Sequence, residues 1–227
     1  MSGTVRPFVA PPVRWGAALI GIGAAQFVVA MGVVQTRYAG YSLLTNYISD
    51  LGNTATSPWH VVFNASIILL GGLAFVGILL AWGGFPAGGR RGLGLLLLLV
   101  ASVAAILVGL FPENVNPSVH DLASLAVFGP GGIGLVVVGS AMRPATHWAP
   151  YRLGSVVLGA ITLGALLYYA PTQSSNTTFL PGLIERLIVA PILVWALAVA
   201  VHLGRLPVRP EPRRPAGTER ERPGRQP

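Results

Sequence analysis

The sequence predicts an all-α fold: a polytopic membrane protein whose six transmembrane helices form one bundle, with a short amphipathic helix in the first outer loop. Three observations carry this reading. Six apolar runs, 15–35, 59–82, 92–111, 119–142, 152–171 and 182–204, reach the ~20 residues that cross a hydrocarbon core as a helix. At 53% hydrophobic and 10% charged, with mean hydropathy +0.67, the 227 residues hold more apolar surface than a soluble domain hides from water. Arginine, finally, gathers on alternate connections between the runs, as topology signals do.

The run 15–35 ends in Val33-Val34-Gln35-Thr36, without the small-residue cleavage pattern of a signal peptide, so a retained helix is expected. The loop after it, 36–58, is long for a small bundle and too apolar for a free linker. Its Leu43, Leu44, Tyr47, Ile48 and Leu51 fall at helical spacing, which predicts an amphipathic helix over 41–52, closed by Gly52 as a C-terminal cap. Runs two and three are parted by Gly83-Gly84-Phe85-Pro86, runs three and four by Phe111-Pro112-Glu113-Asn114, and runs four and five by Arg143-Pro144. Ser118 is the expected N-cap of the fourth run, with Asp121 three residues on completing a capping box. In the fifth run Gly154, Gly159 and Gly164 recur every five residues, which does not keep them on one face, so they read as general packing glycines. No inverted repeat of the kind many transporters carry is visible. The runs are too long and continuous for barrel strands.

The expected division is a cytoplasmic segment 1–14, a membrane domain 15–204 and a basic cytoplasmic tail 205–227. That tail, rich in Pro, Arg and Glu, cannot order itself by burial. Six spans put both termini on one side, with Arg6, Arg14, Arg90, Arg91, Arg143, Arg152 and seven tail arginines. The other side has only Arg37 and Arg186, so the termini are expected in the cytoplasm of a multi-pass cell-membrane protein. The chain has no lysine, and its net charge of +8 owes much to the tail, which suits anionic headgroups or topology anchoring. Nothing resembles a nucleic-acid recognition module, so membrane lipids are the expected partners and nucleic acid is not. The absence of cysteine excludes disulfides and thiolate metal sites.

Chemistry-bearing residues collect at the outer ends of the spans. Asp50, His60, Glu113, His120, Asp121 and Glu185 lie there with Arg37 and Arg186. Charge near a bilayer is costly unless solvated or paired, so this one-sided gathering predicts a water-filled or mutually paired site. Ser49-Asp50 reads first as a turn or capping pair, and second as a nucleophile with a carboxylate. His60 and Asn64 share a helix face, as do His120 and Ser124. Glu185 and Arg186 sit about one turn inside the last span and point about 100° apart, so each must find its partner elsewhere. Arg186 is expected to neutralise the cluster through Asp50 or Asp121, in a network that also includes Arg37, Asn46, Glu113, His120 and Glu185.

The stretch Asn46-Tyr47-Ile48-Ser49-Asp50-Leu51-Gly52 after a first span, with the later Phe111-Pro112-Glu113 and His120-Asp121, resembles the motif of a bacterial and archaeal membrane family called domain of unknown function 998. The resemblance covers about 14–204. It implies six spans and a site at Ser49, Asp50, Gly52, Glu113, His120 and Asp121, but no reaction. More distantly, the Ile-Ser-Asp-x-Gly core is similar to the FRAG/DRAM/Sfk membrane proteins, a group associated with lipid handling and membrane trafficking.

Three functions compete. The first is a membrane protein that binds or organises lipid at its outer face, with no cofactor. The second is an intramembrane lipid hydrolase, with Ser49 or a water as nucleophile, His60 or His120 as base and Asp50 or Asp121 orienting it. In a metal-assisted version His60, His120 and Asp121 would be the ligands, although no His-x-x-x-His spacing supports it. The third is a small proton-coupled transporter using Glu185 and Asp121. A folded structure discriminates by what those side chains touch.

Overall fold

The computed structural model describes residues 8–144, 146–174 and 177–208. Six helices fill them: α1 (Pro11–Arg37), α2 (His60–Ala81), α3 (Gly89–Leu110), α4 (Pro117–Ala141), α5 (Ala149–Ser174) and α6 (Pro181–Arg205). All six are long and apolar enough to cross a membrane. Among the described residues the only extended pairing is a single bridge between Val9 and Val208, where Val9 N–H donates to the Pro207 carbonyl at 3.0 Å. Each helix packs against the next in sequence and α6 returns to α1, so the bundle is a closed ring. Connections of six or seven residues after α2, α3, α4 and α5 force antiparallel neighbours, which is what makes the ring sequential.

Apolar side chains in lipid gain little from burial against one another, so the ring is held by close fit. Where α1 crosses α2, a side chain at Gly16 would run into the Gly77 carbonyl and the Ala81 N–H. Gly94 on α3 faces the Gly134 carbonyl of α4, and Gly159 on α5 faces the Gly132 carbonyl of α4. Of the three glycines spaced by five on α5, Gly159 alone lies at such a contact, while Gly154 and Gly164 face open space. Trp15, Leu122 and Leu167 point outward, where a soluble protein would place polar groups. Two buried clusters occupy the interior. The larger, around Leu95, Leu135, Trp148, Val199 and Leu203, lies toward the end where the termini meet. The smaller joins Phe27, Phe63 and Leu193 to Ile48 and Leu51 of the first loop.

Three local expectations are corrected. The loop 41–52 is not an α-helix; its helical part is a single 3-10 turn at Ser49–Gly52. Asn46 and Asp50 side chains take the N–H groups of Ser42 and Tyr47, and the second of these a helix over 41–52 would have directed to a main-chain carbonyl. The stripe divides accordingly: Ile48 and Leu51 are buried, whereas Leu43 and Leu44 are half exposed. The N-cap of α4 is Asn116, whose side chain accepts from Val119 N–H at 3.2 Å, not Ser118, because Pro117 suits the first helical position. Asp121 therefore completes no capping box. Pro11 likewise opens α1 four residues ahead of the apolar run. Residues 1–7, with Arg6, and 209–227, most of the proposed tail, lie outside the described residues.

The α1–α2 crossing yields a test. Gly16→Ala should lower stability by about 1–3 kcal/mol, since the new methyl meets backbone that cannot yield cheaply. Gly32→Ala, with nothing within 4 Å, should be neutral or slightly stabilising. Thermal unfolding of both in detergent checks the pair, and equal melting temperatures would contradict the close fit.

Candidate functional site

The first loop is folded over the start of α6. Leu180, which enters that helix, sits in the left-handed region (φ 48°, ψ 60°), a conformation costing a branched residue about 1–2 kcal/mol. Gly182 follows because the loop passes directly over it: a Cβ there would strike the Asn46 carbonyl. Leu183 N–H donates to the Leu44 carbonyl at 3.2 Å, adding a backbone tie between the two segments.

Arg186, one turn on, grips the loop. Its Nη1 donates to the carbonyls of Asn46 (3.1 Å) and Gly182 (2.8 Å), and its Nη2 to the Tyr41 hydroxyl (2.8 Å), with the guanidinium 5.6 Å from the Tyr41 ring centroid. Tyr41 passes the chain on, donating to the Tyr47 carbonyl at 2.8 Å. Burial pushes the Tyr41 hydroxyl up to about 12, against the opposing pull of Arg186. Asp50 is a clasp within the loop: its Oδ2 accepts from Tyr47 N–H (2.9 Å) and from the Asn46 amide (3.0 Å). Arg186 is therefore not the carboxylate-neutralising hub expected from its position. It meets carbonyls and a phenol, and among the described residues no carboxylate contacts it as an ion pair. The reason is local: Asp50 already has two N–H donors, and the loop brings bare carbonyls to the guanidinium first.

Glu185 points the other way, as its position predicts. It is buried, and its Oε2 accepts the Ile48 N–H. Glu113 accepts from the Asn53 amide at 3.3 Å, and Asn114 bonds Thr54 through both its side-chain ends, so the α3–α4 connection is clipped to the first loop. His120 is buried, with Nδ1 at 2.9 Å from the Phe111 carbonyl. A carbonyl only accepts, so Nδ1 carries a proton, and Nε2 has no partner among the described residues.

Two cavities meet at this end of the ring. The larger, about 230 Å³, is a polar chamber walled by Tyr47, Glu113, Asp121, Tyr169 and Glu185. The smaller, about 80 Å³, is an apolar slot that enters the bundle between Phe27, Phe63, Ile67, Val108, Val127 and Leu193. Ser49, His120, Ser124, Phe128 and Glu185 line both, so chamber and slot share a wall. The glycine contacts between α4 and α5 reach up as far as Gly132 against Leu163; beyond them the chamber occupies the wedge between these helices. Tyr47 and Tyr169 meet edge-on, with ring centroids 6.0 Å apart. Burial raises the Tyr47 hydroxyl above its ordinary range, and the carboxylates of Glu185, Asp50 and Glu113 add to the rise.

The structure thus gathers Ser49, Glu113, His120, Asp121 and Glu185 around one space and leaves the other candidates outside it. His60 turns its Nδ1 to the Ser57 carbonyl at 2.8 Å and lines neither cavity. Arg37 is exposed, 5.2 Å from the Trp59 ring centroid. Asn46 and Asp50 shape the loop from behind the chamber. No hydrogen bond joins Ser49, His120 and a carboxylate into a triad among the described residues, and no three His, Asp or Glu there could hold a metal ion, so His60, His120 and Asp121 form no ligand set. Sequence reading missed Tyr41, Tyr47 and Tyr169 as partners of the charges. Tyr47 lay inside the quoted motif, but Tyr169 follows from no local pattern.

A family model described as "Protein of unknown function (DUF998)" matches residues 21–202. No curated protein and no solved structure matches, and the similarity to the FRAG/DRAM/Sfk proteins is not shown.

Removing the Arg186 grip tests the account of the loop. Arg186→Ala should cost about 1.5–3 kcal/mol, the worth of hydrogen bonds to a charged donor. It should also accelerate amide exchange at Asn46, Ile48 and Ser49 while the middle of α3 stays protected. Unchanged exchange in the loop would show that the loop is held by something else.

Proposed function

The chain belongs to the family described as Protein of unknown function (DUF998), and we propose that it is a lipid-binding protein of the cell membrane, with both termini cytoplasmic and its polar chamber facing outward. The single observation behind the binding function is the shared wall between a polar chamber and an apolar slot. An amphiphile needs both surfaces within one molecule's length, because its headgroup loses hydration unless polar groups replace water and its chain does not. The wedge between α4 and α5 offers an approach from the side, so that a lipid need not leave the bilayer to reach the chamber.

The orientation is supported by the arginines. Arg14, Arg90, Arg91, Arg143, Arg152 and Arg205 lie at the end where Val9 meets Val208, and Arg37 and Arg186 at the chamber end. Hydrolysis is the second reading, favoured by one observation: the open Nε2 of buried His120 belongs to the same wall as Ser49. Binding needs no further assumption, whereas hydrolysis needs Ser49 or a water to move into line with His120.

Binding is tested with single-chain amphiphiles on the full chain in nonionic detergent, read by native mass spectrometry. Saturable uptake of one dodecanol or one dodecylammonium per protein is expected. Val127→Trp, which fills the slot, should weaken it by about tenfold or more. Failure of both amphiphiles to bind saturably would overturn the proposal, and release of free fatty acid from a supplied ester lipid would favour hydrolysis instead.

Topology has its own test, because the chain has no cysteine to remove. A membrane-impermeant thiol reagent applied to intact cells should label Ala55→Cys in the first loop and leave Ala87→Cys, between α2 and α3, unlabelled. The reverse pattern would invert the orientation.

A further inference from the structure

The polar chamber has a charge imbalance that the rest of the molecule does not correct. Three of its walls are carboxylates, Glu113, Asp121 and Glu185, and no arginine is among the residues that line it. The two arginines at this end are engaged elsewhere: Arg186 on the far side of the loop with Asn46, Gly182 and Tyr41, and Arg37 above Trp59. Asn53 reaches Glu113, and Ile48 N–H reaches one oxygen of Glu185, but both are neutral donors. Glu185 is the buried one of the three, and a carboxylate in a low-dielectric setting calls for an opposite charge close by; no arginine faces it across the chamber.

A second observation is independent of the acidic cluster. Glu185 and His120 are each 8% exposed, and both line the chamber. The Glu185 Oε2 is bonded to the loop, while Oε1 has no partner among the described residues, and neither has His120 Nε2. Both side chains are buried and line the chamber, so a group bound there replaces hydration that they gave up on folding. Both point to a ligand that donates. The edge-on pair Tyr47 and Tyr169, in the same wall, adds aromatic surface of the kind that stabilises an ammonium group.

Resting on the lipid-binding reading above, we propose that the chamber receives the ammonium headgroup of an amine-bearing amphiphile, with Glu185, Asp121 and Glu113 supplying the counter-charge and His120 Nε2 accepting an N–H. The hydrocarbon part then lies toward the slot at Val127 and Leu193. The arrangement selects against a phosphate or sulfate placed in the chamber, since no arginine or cluster of backbone N–H donors lines it and three carboxylates would repel it. A primary ammonium fits better than a quaternary one, because Glu185 Oε1 and His120 Nε2 both need a donor hydrogen.

The test compares headgroups on one chain length: dodecylammonium, dodecyltrimethylammonium, dodecanol and dodecyl sulfate, each titrated against the full chain in nonionic detergent at neutral pH. Dodecylammonium should bind about tenfold or more tightly than dodecanol, dodecyltrimethylammonium should fall between them, and dodecyl sulfate should compete with none of them below its own micellar concentration. Asp121 is exposed and makes no hydrogen bond among the described residues, so Asp121→Asn should fold normally. In that variant, and more fully in Glu185→Gln, the ammonium-to-alcohol affinity ratio should fall toward one. Equal affinity for ammonium and alcohol in the native chain would overturn the headgroup assignment while leaving lipid binding intact; no saturable binding of any probe would overturn both. A ratio unaffected by Asp121→Asn and Glu185→Gln alike would place the cation outside the chamber and also defeat the proposal.

Discussion

Two adjacent charged residues at the start of α6 hold the chamber end of the molecule together by facing opposite ways. Glu185 takes the Ile48 N–H from inside the bundle. Arg186 takes the Asn46 carbonyl from the rim. Between these points the chain turns through Tyr47, whose carbonyl is met by Tyr41 and whose N–H is met by Asp50. A loop at a membrane interface has main-chain groups to satisfy and few waters inside the bundle to satisfy them, so side chains supply what a regular helix would have supplied from its own backbone. This is why a segment with helical hydrophobic spacing settles as one 3-10 turn with side-chain clasps.

The same constraint creates the cavity. With Arg186 occupied on one side of the loop, Glu185 faces a space on the other that Glu113 and Asp121 complete, lined by acids and His120 but by no arginine. The ring closes tightly where glycines let backbones approach, at Gly16 with Gly77 and at Gly132 with Gly159, and these contacts do not extend to the outer ends of α4 and α5. Polar chamber and apolar slot are thus consequences of where small residues stop and where charged ones begin. Binding rather than catalysis suits this arrangement, because its polar atoms are open acceptors around a space and not a nucleophile already aligned with a base.

Much of the fold was legible in the chain. Apolar runs as long as a hydrocarbon core is thick have one stable solution in lipid, a helix that satisfies its own backbone, so six spans followed from length and composition alone. The candidate site was legible only in part. Charged residues at the span ends mark themselves because they are costly there, so Glu113, His120, Asp121 and Glu185 were identified as a group. Their partners were not. Arg186 was expected to meet a carboxylate because only formal charge is visible along a sequence, whereas main-chain carbonyls and Tyr41 became its partners through folding. The Ser118 cap gave way to Asn116 for a related reason: Pro117 sets the helix start one residue ahead of Ser118, a choice of backbone geometry that the list of capping residues does not settle.

The sequence by itself determined the number of spans, the clustering of arginine on one set of connections and the gathering of Asp50, Glu113, Asp121 and Glu185 at the opposite end, all of which depend on the cost of placing each residue type in lipid or water. Tertiary structure alone decided that His60 and Arg37 stand outside the site, that Tyr169 stands inside it, and that three carboxylates share a chamber without an arginine. Those outcomes depend on which helices neighbour one another and on the direction each side chain takes from its backbone. Residues 47, 113, 121, 169 and 185 meet only because a ring of six helices closes, and no local pattern encodes that closure.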